Sequence, residues 1–147
     1  MDIRVQEEAF DVGAETSAFA AAQRASGALV TFTGIVRDNA ARDLDRMEIE
    51  HYPGMTEAAL TKIATQAKER WDLEDVLVIH RFGSLMPSDP IMMVACASRH
   101  RKAAFEAADF LMDYLKSRAP FWKKEITGSG SIWVASRQED EDALNRW

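Results

Sequence analysis

The 147-residue chain has one cysteine, Cys96, so no disulfide can form within it. Cys96 lies in the apolar run IMMVACA, which reads as a buried strand, where a free thiol behaves as a small hydrophobe. A reactive thiolate needs exposure and a cationic setting, which that run does not offer. Three scattered histidines and a lone cysteine give no cluster at ligand spacing, so neither a structural zinc site nor any other metal or cofactor is expected. Long apolar runs are also missing. None approaches the roughly 20 residues of a membrane span, and MDIRVQEEAF has neither the basic nor the apolar region of a signal peptide. A cytoplasmic protein with no membrane contact is the expectation. Positive charge is scarce: 18 Lys and Arg stand against 24 Asp and Glu. The net charge of −6 argues against nucleic-acid binding, which draws its affinity from basic surface. Any anion site must therefore be local. With no repeat, low-complexity segment or linker, residues 1–147 fit one domain.

Periodicity supplies the elements. Ile3 to Val5 reads as a short strand, Glu15 to Ala25 as a helix stopped by Gly27, and ALVTFTGIV (Ala28 to Val36) as a strong strand. The polar RDNAARDLD leads to a half-buried strand, Arg46 to Tyr52, closed by Pro53-Gly54. A helix from Thr56, its expected N-cap, to Trp71 carries Leu60, Ile63 and Ala67 on one stripe. DVLVIHRFG and PIMMVACAS are strands joined by a turn at Pro87, Ser88 and Asp89. A third helix, from about Arg99 to Ser117, has Ser98 as its expected N-cap and is broken by Pro120. FWKKEIT and SIWVASR form a hairpin around Gly128-Ser129-Gly130, followed by an acidic helical tail. The order βαββαββαββ indicates an α+β domain with a mixed or antiparallel sheet.

Three basic loci interrupt the acidic chain: Arg37 just past a strand end, Arg99-His100-Arg101-Lys102 at a helix start, and LKSRAPFWKKE, residues 115–125. Free N–H groups and the macrodipole at a helix start already favour an anion. Basic residues there either add donors for one or point into water. Lys116 ends an amphipathic helix beside an aromatic segment, and strand alternation puts Lys123 on the face opposite Trp122. A lysine with apolar and cationic neighbours has a lowered pKa and serves as acid, base or nucleophile. The competing reading of Lys116 is a helix-terminal lysine complementing the dipole. Phe121, Trp122, His51 and His80 read as structural, the histidines with their hydrogen bonds satisfied. His100 and Lys116, on one helix, are roughly 24 Å apart at about 1.5 Å per residue. If both serve one small substrate, a symmetric dimer that faces one chain's helix start with the other's helix end is the simplest solution.

VTFTGIVRDN, IEHYPGMTEAAL, VIHRFGSLMPSD, SRHRKAAFEAADFLMDYLKSRAPFWKKE and WVASR together resemble the catalytic (large) subunit of molybdopterin synthase, in that family's order and spacing from Ala28 to Arg137. The resemblance implies an α/β hammerhead-type fold with an additional small antiparallel sheet, and a homodimer of large subunits. A small ubiquitin-like sulfur-carrier subunit would sit at each end, making a heterotetramer. It implies sulfur transfer from the carrier's C-terminal Gly-Gly thiocarboxylate to a small pterin, cyclic pyranopterin monophosphate, forming the dithiolene of molybdopterin. The catalytic residues it implies are Lys116 and Lys123. The substrate contacts it implies are Ile35, Val36, Arg37, His100, Arg101, Lys116, Lys123, Lys124, Glu125 and Arg137, with Glu125 holding Lys123 in orientation. Two other classes of function make distinct claims: a module that only grips a ubiquitin-like tail, and a sulfurtransferase that depends on Cys96.

Overall fold

A computed structural model describes residues 1–147. Its elements run β1 (Asp2–Gln6), α1 (Val12–Ala21), β2 (Ala28–Ile35), β3 (Leu44–His51), α2 (Met55–Arg70), β4 (Asp75–Arg81) and β5 (Gly83–Leu85). They continue with β6 (Pro90–Ser98), α3 (Arg101–Ser117), β7 (Phe121–Thr127), β8 (Gly130–Trp133), α4 (Gln138–Ala143) and a closing 3₁₀ turn, Leu144–Arg146. One sheet has the order β1-β4-β6-β2, with β1 parallel to β4 and the other pairs antiparallel. The second, β5-β3-β7-β8, is wholly antiparallel. This is the expected α+β class, a mixed sheet with a smaller antiparallel one.

β4 and β6 read as continuous apolar runs because both their faces are covered. Phe19 of α1 packs on Leu77, Ile79, Met93, Ala95 and Ala97. The alternate residues Val76, Val78, Val94 and Cys96 face the other way. They join Leu60, Ile63 and Ala67 of α2, Ala107, Phe110 and Leu111 of α3, and Met47, Ile49 and Leu85 of the second sheet. One core thus unites both sheets. His80 follows Val76 and Val78 on that inner face, at the end of β4.

Several boundaries differ from the sequence reading, each for a local reason. α1 starts at Val12, not Glu15, because the Asp11 carboxylate caps it by accepting from the Ala14 N–H at 2.7 Å. Thr56 does not cap α2. Gly54 takes that position at φ 84°, where a side chain would be strained, and its N–H donates to the Glu57 carboxylate at 2.7 Å. The Thr56 hydroxyl instead exchanges hydrogen bonds with the N–H and C=O of Tyr52, both at 3.0 Å. His100, not Ser98, is the cap residue of α3, and Ser98 Oγ accepts from the His100 N–H at 3.3 Å. The run DVLVIHRFG is not one strand, since Gly83, at φ 89°, turns the chain out of the first sheet and into β5 of the second. SIWVASR keeps strand pairing only to Trp133.

The acidic tail is docked on the end of α3. Ser117 Oγ donates to the Asp140 carbonyl at 2.9 Å, and Arg118 pairs with Glu141 at 2.9 Å. Trp147 packs edge-on against Trp71 and Phe110. The tail therefore fixes Arg137 and Asp140 beside the last turn of α3. No helix is long and apolar enough to cross a membrane. No group of three or more His, Cys, Asp or Glu side chains is placed to hold a metal ion.

Candidate active site

The end of α3, the inner face of β7, the end of β4 and the end of β2 converge on a cleft. Pro120 makes this possible: it prevents α3, which ends at Ser117 just past Lys116, from continuing, and β7 starts at the residue after the proline. Alternation along β7 then aims Phe121 and Lys123 inward and Trp122 outward, as the sequence implied. The cleft has two lobes that share His80, Leu115, Lys116 and Lys123. One lobe, of about 90 Å³, is walled by apolar groups including Phe32, Ile35, Met92 and Met112. The other, of about 150 Å³, is bordered by Phe121, Arg137 and Asp140. A larger hollow near the N-terminus contains Lys68, but its ammonium is already taken by the carbonyls of Leu73 and Glu74 at 3.2 and 2.7 Å. In the shared cleft, by contrast, Lys116 and Lys123 make no salt bridge.

Lys116 is exposed at its rim and Lys123 half-buried within. Neither forms a salt bridge, whereas Lys124, one residue along, turns to the opposite face and meets Glu48 at 3.8 Å. Burial, and then the charge of Lys116, lower the pKa of Lys123 to about 8, while Asp140 pulls the other way. Two amines that repel each other in a partly dry cleft favour an anionic ligand between them.

His80 is packed and hydrogen-bonded as a structural histidine, as expected, and it also borders the cleft. It is buried (4% exposed), lies flat on Phe121 with ring centroids 3.6 Å apart, and lines both lobes. Burial, together with Lys123, Lys116 and His51, holds its pKa down at about 3, although the Arg81 carbonyl acts in the opposite direction. The folded pKa lies below the unfolded value near 6.5, so the unfolded chain binds the extra proton and stability falls as pH drops through that range. Between pH 7 and pH 5 this group alone should remove about 2 kcal/mol. Urea midpoints at the two pH values check this, and His80→Phe should flatten the slope. His51, by contrast, is not satisfied: its buried Nδ1 has no partner.

The structure gathers Ile35, Lys116, Lys123 and Arg137 of the expected residues. It leaves the others elsewhere in the chain. Val36 is buried in the core (2% exposed), and both its backbone groups are paired, the N–H with the Asp89 carbonyl and the C=O with the Ser88 N–H. Arg37 is exposed beyond β2. His100 and Arg101 stand exposed at the far end of α3. Glu125 borders a separate hollow with Asn39 and Ser129, and it makes no ion pair with Lys123. The half-exposed Trp122 belongs to the surface, not the core (48% exposed). Sequence reasoning missed His80, Asp140 and the ring of Phe121. The period-two alignment of His80 with Val76 and Val78 was the available signal for the first of these.

Cys96 is fully buried, and burial pushes its thiol up to about 12. It is therefore a protonated core group at neutral pH. Cys96→Ala should leave turnover unchanged, and Cys96→Ser should cost about 1–3 kcal/mol through an unpaired hydroxyl, measured by denaturant unfolding.

Two sheets and the longest helix of an α+β enzyme domain thus converge on an unpaired lysine couple, an arrangement suited to an anionic ligand. The chain belongs to the MoaE protein family, whose model matches residues 5–118. It is 60% identical over 147 residues to the molybdopterin synthase catalytic subunit of Cereibacter sphaeroides, covering all of both chains. Among solved structures, the molybdopterin biosynthesis MoaE protein from Burkholderia ambifaria is 51% identical, with a TM-score of 0.85 over 99% of this chain and 97% of that one. Molybdopterin synthase from Staphylococcus aureus is 32% identical, with a TM-score of 0.82 over 90% and 96%. Lys123 and Arg137 lie outside the family-model match but inside the full-length alignment.

Proposed function

We propose that this chain is the catalytic subunit of a molybdopterin synthase, an enzyme of molybdenum cofactor biosynthesis. It transfers sulfur from the C-terminal thiocarboxylate of a small ubiquitin-like carrier subunit to cyclic pyranopterin monophosphate, and two rounds build the dithiolene. The observation that carries this reading is the pairing of Lys116 and Lys123 across one cleft, without carboxylate partners, in a chain whose only cysteine is sealed in the core. The sulfur then has to arrive on an external donor. Thiocarboxylate and cyclic phosphate are both anions, and the local amines lower the cost of bringing them together. Lys116, at the rim, positions the thiocarboxylate and moves protons as sulfur adds to the pterin side chain. Lys123, deeper, is the second acid or base, and Arg137 adds positive charge.

Arg37, His100 and Arg101 clamp phosphate or pterin, with His100 and Arg101 coming from a second copy of the chain. The free edge of β2 supports a homodimer, since Phe32 and Ile35 are exposed along it (42% and 56%) and Phe105 is exposed on α3 (62%). One carrier subunit at each end completes a heterotetramer. Reconstitution tests the reading: the chain, thiocarboxylated carrier and cyclic pyranopterin monophosphate together should yield dithiolene product. Failure of the complete mixture to form it contradicts the proposal.

A further inference from the structure

His80 has one hydrogen bond within the chain, Nδ1 to the Arg81 carbonyl at 2.8 Å. A carbonyl only accepts, so Nδ1 carries the hydrogen and the neutral ring keeps its lone pair on Nε2. No group of the chain donates to Nε2, yet this nitrogen is not sealed off as His51 Nδ1 is, because the ring lines both lobes of the cleft. Phe121 lies parallel to the ring at 13° and fixes its plane. The charged or titratable groups around it are Lys123 from β7, Lys116 from α3 and His51 from β3. Both cations disfavour a second proton on the imidazole, so it stays an acceptor throughout the working pH range. Lys116, Lys123 and Arg137 supply only donors, so Nε2 offers the cleft an acceptor that a bound donor can engage.

We propose that His80 is a ligand-contacting residue of this cleft, its Nε2 accepting a hydrogen bond from an N–H or O–H of the bound small molecule. This rests on the function proposed above, under which the ligand is a pterin. Its ring system offers N–H donors at one end and an anionic phosphate at the other. The lysines attract the anion without fixing which way the ring system lies, and a neutral ring acceptor that borders both lobes does so. His80 is thus a determinant of orientation and specificity.

The test is calorimetric binding of cyclic pyranopterin monophosphate to the wild-type protein, His80→Phe and His80→Asn, with a thermal midpoint for each. His80→Phe keeps a flat ring against Phe121 and removes the acceptor, so affinity should fall about 5- to 100-fold. His80→Asn, which restores a carbonyl acceptor, should recover part of the loss. Wild-type affinity in folded His80→Phe overturns the proposal, as does equal loss in both variants when both are folded. If the variants do not fold, nitrogen NMR of histidine-labelled wild-type protein decides. Nε2 should be unprotonated in the free protein and should shift on adding the pterin, with Nδ1 still protonated. Binding with an unmoved Nε2 overturns the role of His80 alone. No binding by the wild type overturns the functional reading and the role of His80 with it.

Discussion

Replacing Lys116 by alanine should lower the rate of dithiolene formation by about 10²- to 10⁴-fold, the range a positioned acid or base supplies. Lys116 is exposed at the end of α3 and makes no salt bridge, so the substitution should change stability by no more than about 0.5 kcal/mol. Carrier affinity should change only a few-fold, because the Lys116 amine is one contact in a larger interface. A protein that merely grips the carrier tail would show the reverse, a large loss of affinity with no reaction to lose. Single-turnover rates and titration of the carrier, measured on the same preparations, separate the two.

The second large effect concerns Lys123. Lys123→Ala should slow the reaction by about 10²-fold or more, and the wild-type pH–rate profile should carry an inflection near 8, where this lysine titrates. The causes of its shift predict how that inflection moves. Asp140 favours the ammonium form, so Asp140→Asn should move the inflection to lower pH. Lys116 repels a second cation, so Lys116→Met should move it to higher pH in whatever activity remains. An inflection that stays in place in both variants would separate the observed titration from Lys123. The same shift has a consequence for folding. Between about pH 8 and the ordinary lysine value of 10.5 the unfolded chain holds the extra proton, so this group's contribution to stability improves as pH rises across that window.

The features of the site that depend on one element at a time were legible in the sequence. Pro120 between an amphipathic helix and an alternating strand is enough to place Lys116 and Lys123 on opposite sides of a bend, and the apolar flanks of Cys96 are enough to bury it. Features that depend on two elements meeting were not. His80 looks like any inward strand residue until β7 lays Phe121 across it. Asp140 looks like solvated tail until Ser117 and Arg118 dock α4 on α3. Boundaries failed where a local bond competed with the pattern. The Thr56 hydroxyl was engaged by Tyr52, so Gly54 became the cap residue of α2, and Gly83 ended β4 by adopting a backbone angle that no alternation pattern records. The separation of His100 from Lys116 held because it needs only an unbroken helix, and α3 runs from Arg101 to Ser117 without interruption.

The central claim is that sulfur passes from an external thiocarboxylate to the substrate in the lysine cleft without residing on this chain. It is tested most directly by loading the carrier with heavy sulfur and following the label by mass spectrometry through one turnover on wild-type protein and Cys96→Ala. The account predicts the same rate in both proteins, with the label in the pterin product, the carrier left as a plain carboxylate, and none on the catalytic chain. Label trapped on Cys96, or its failure to reach product in Cys96→Ala, would contradict it.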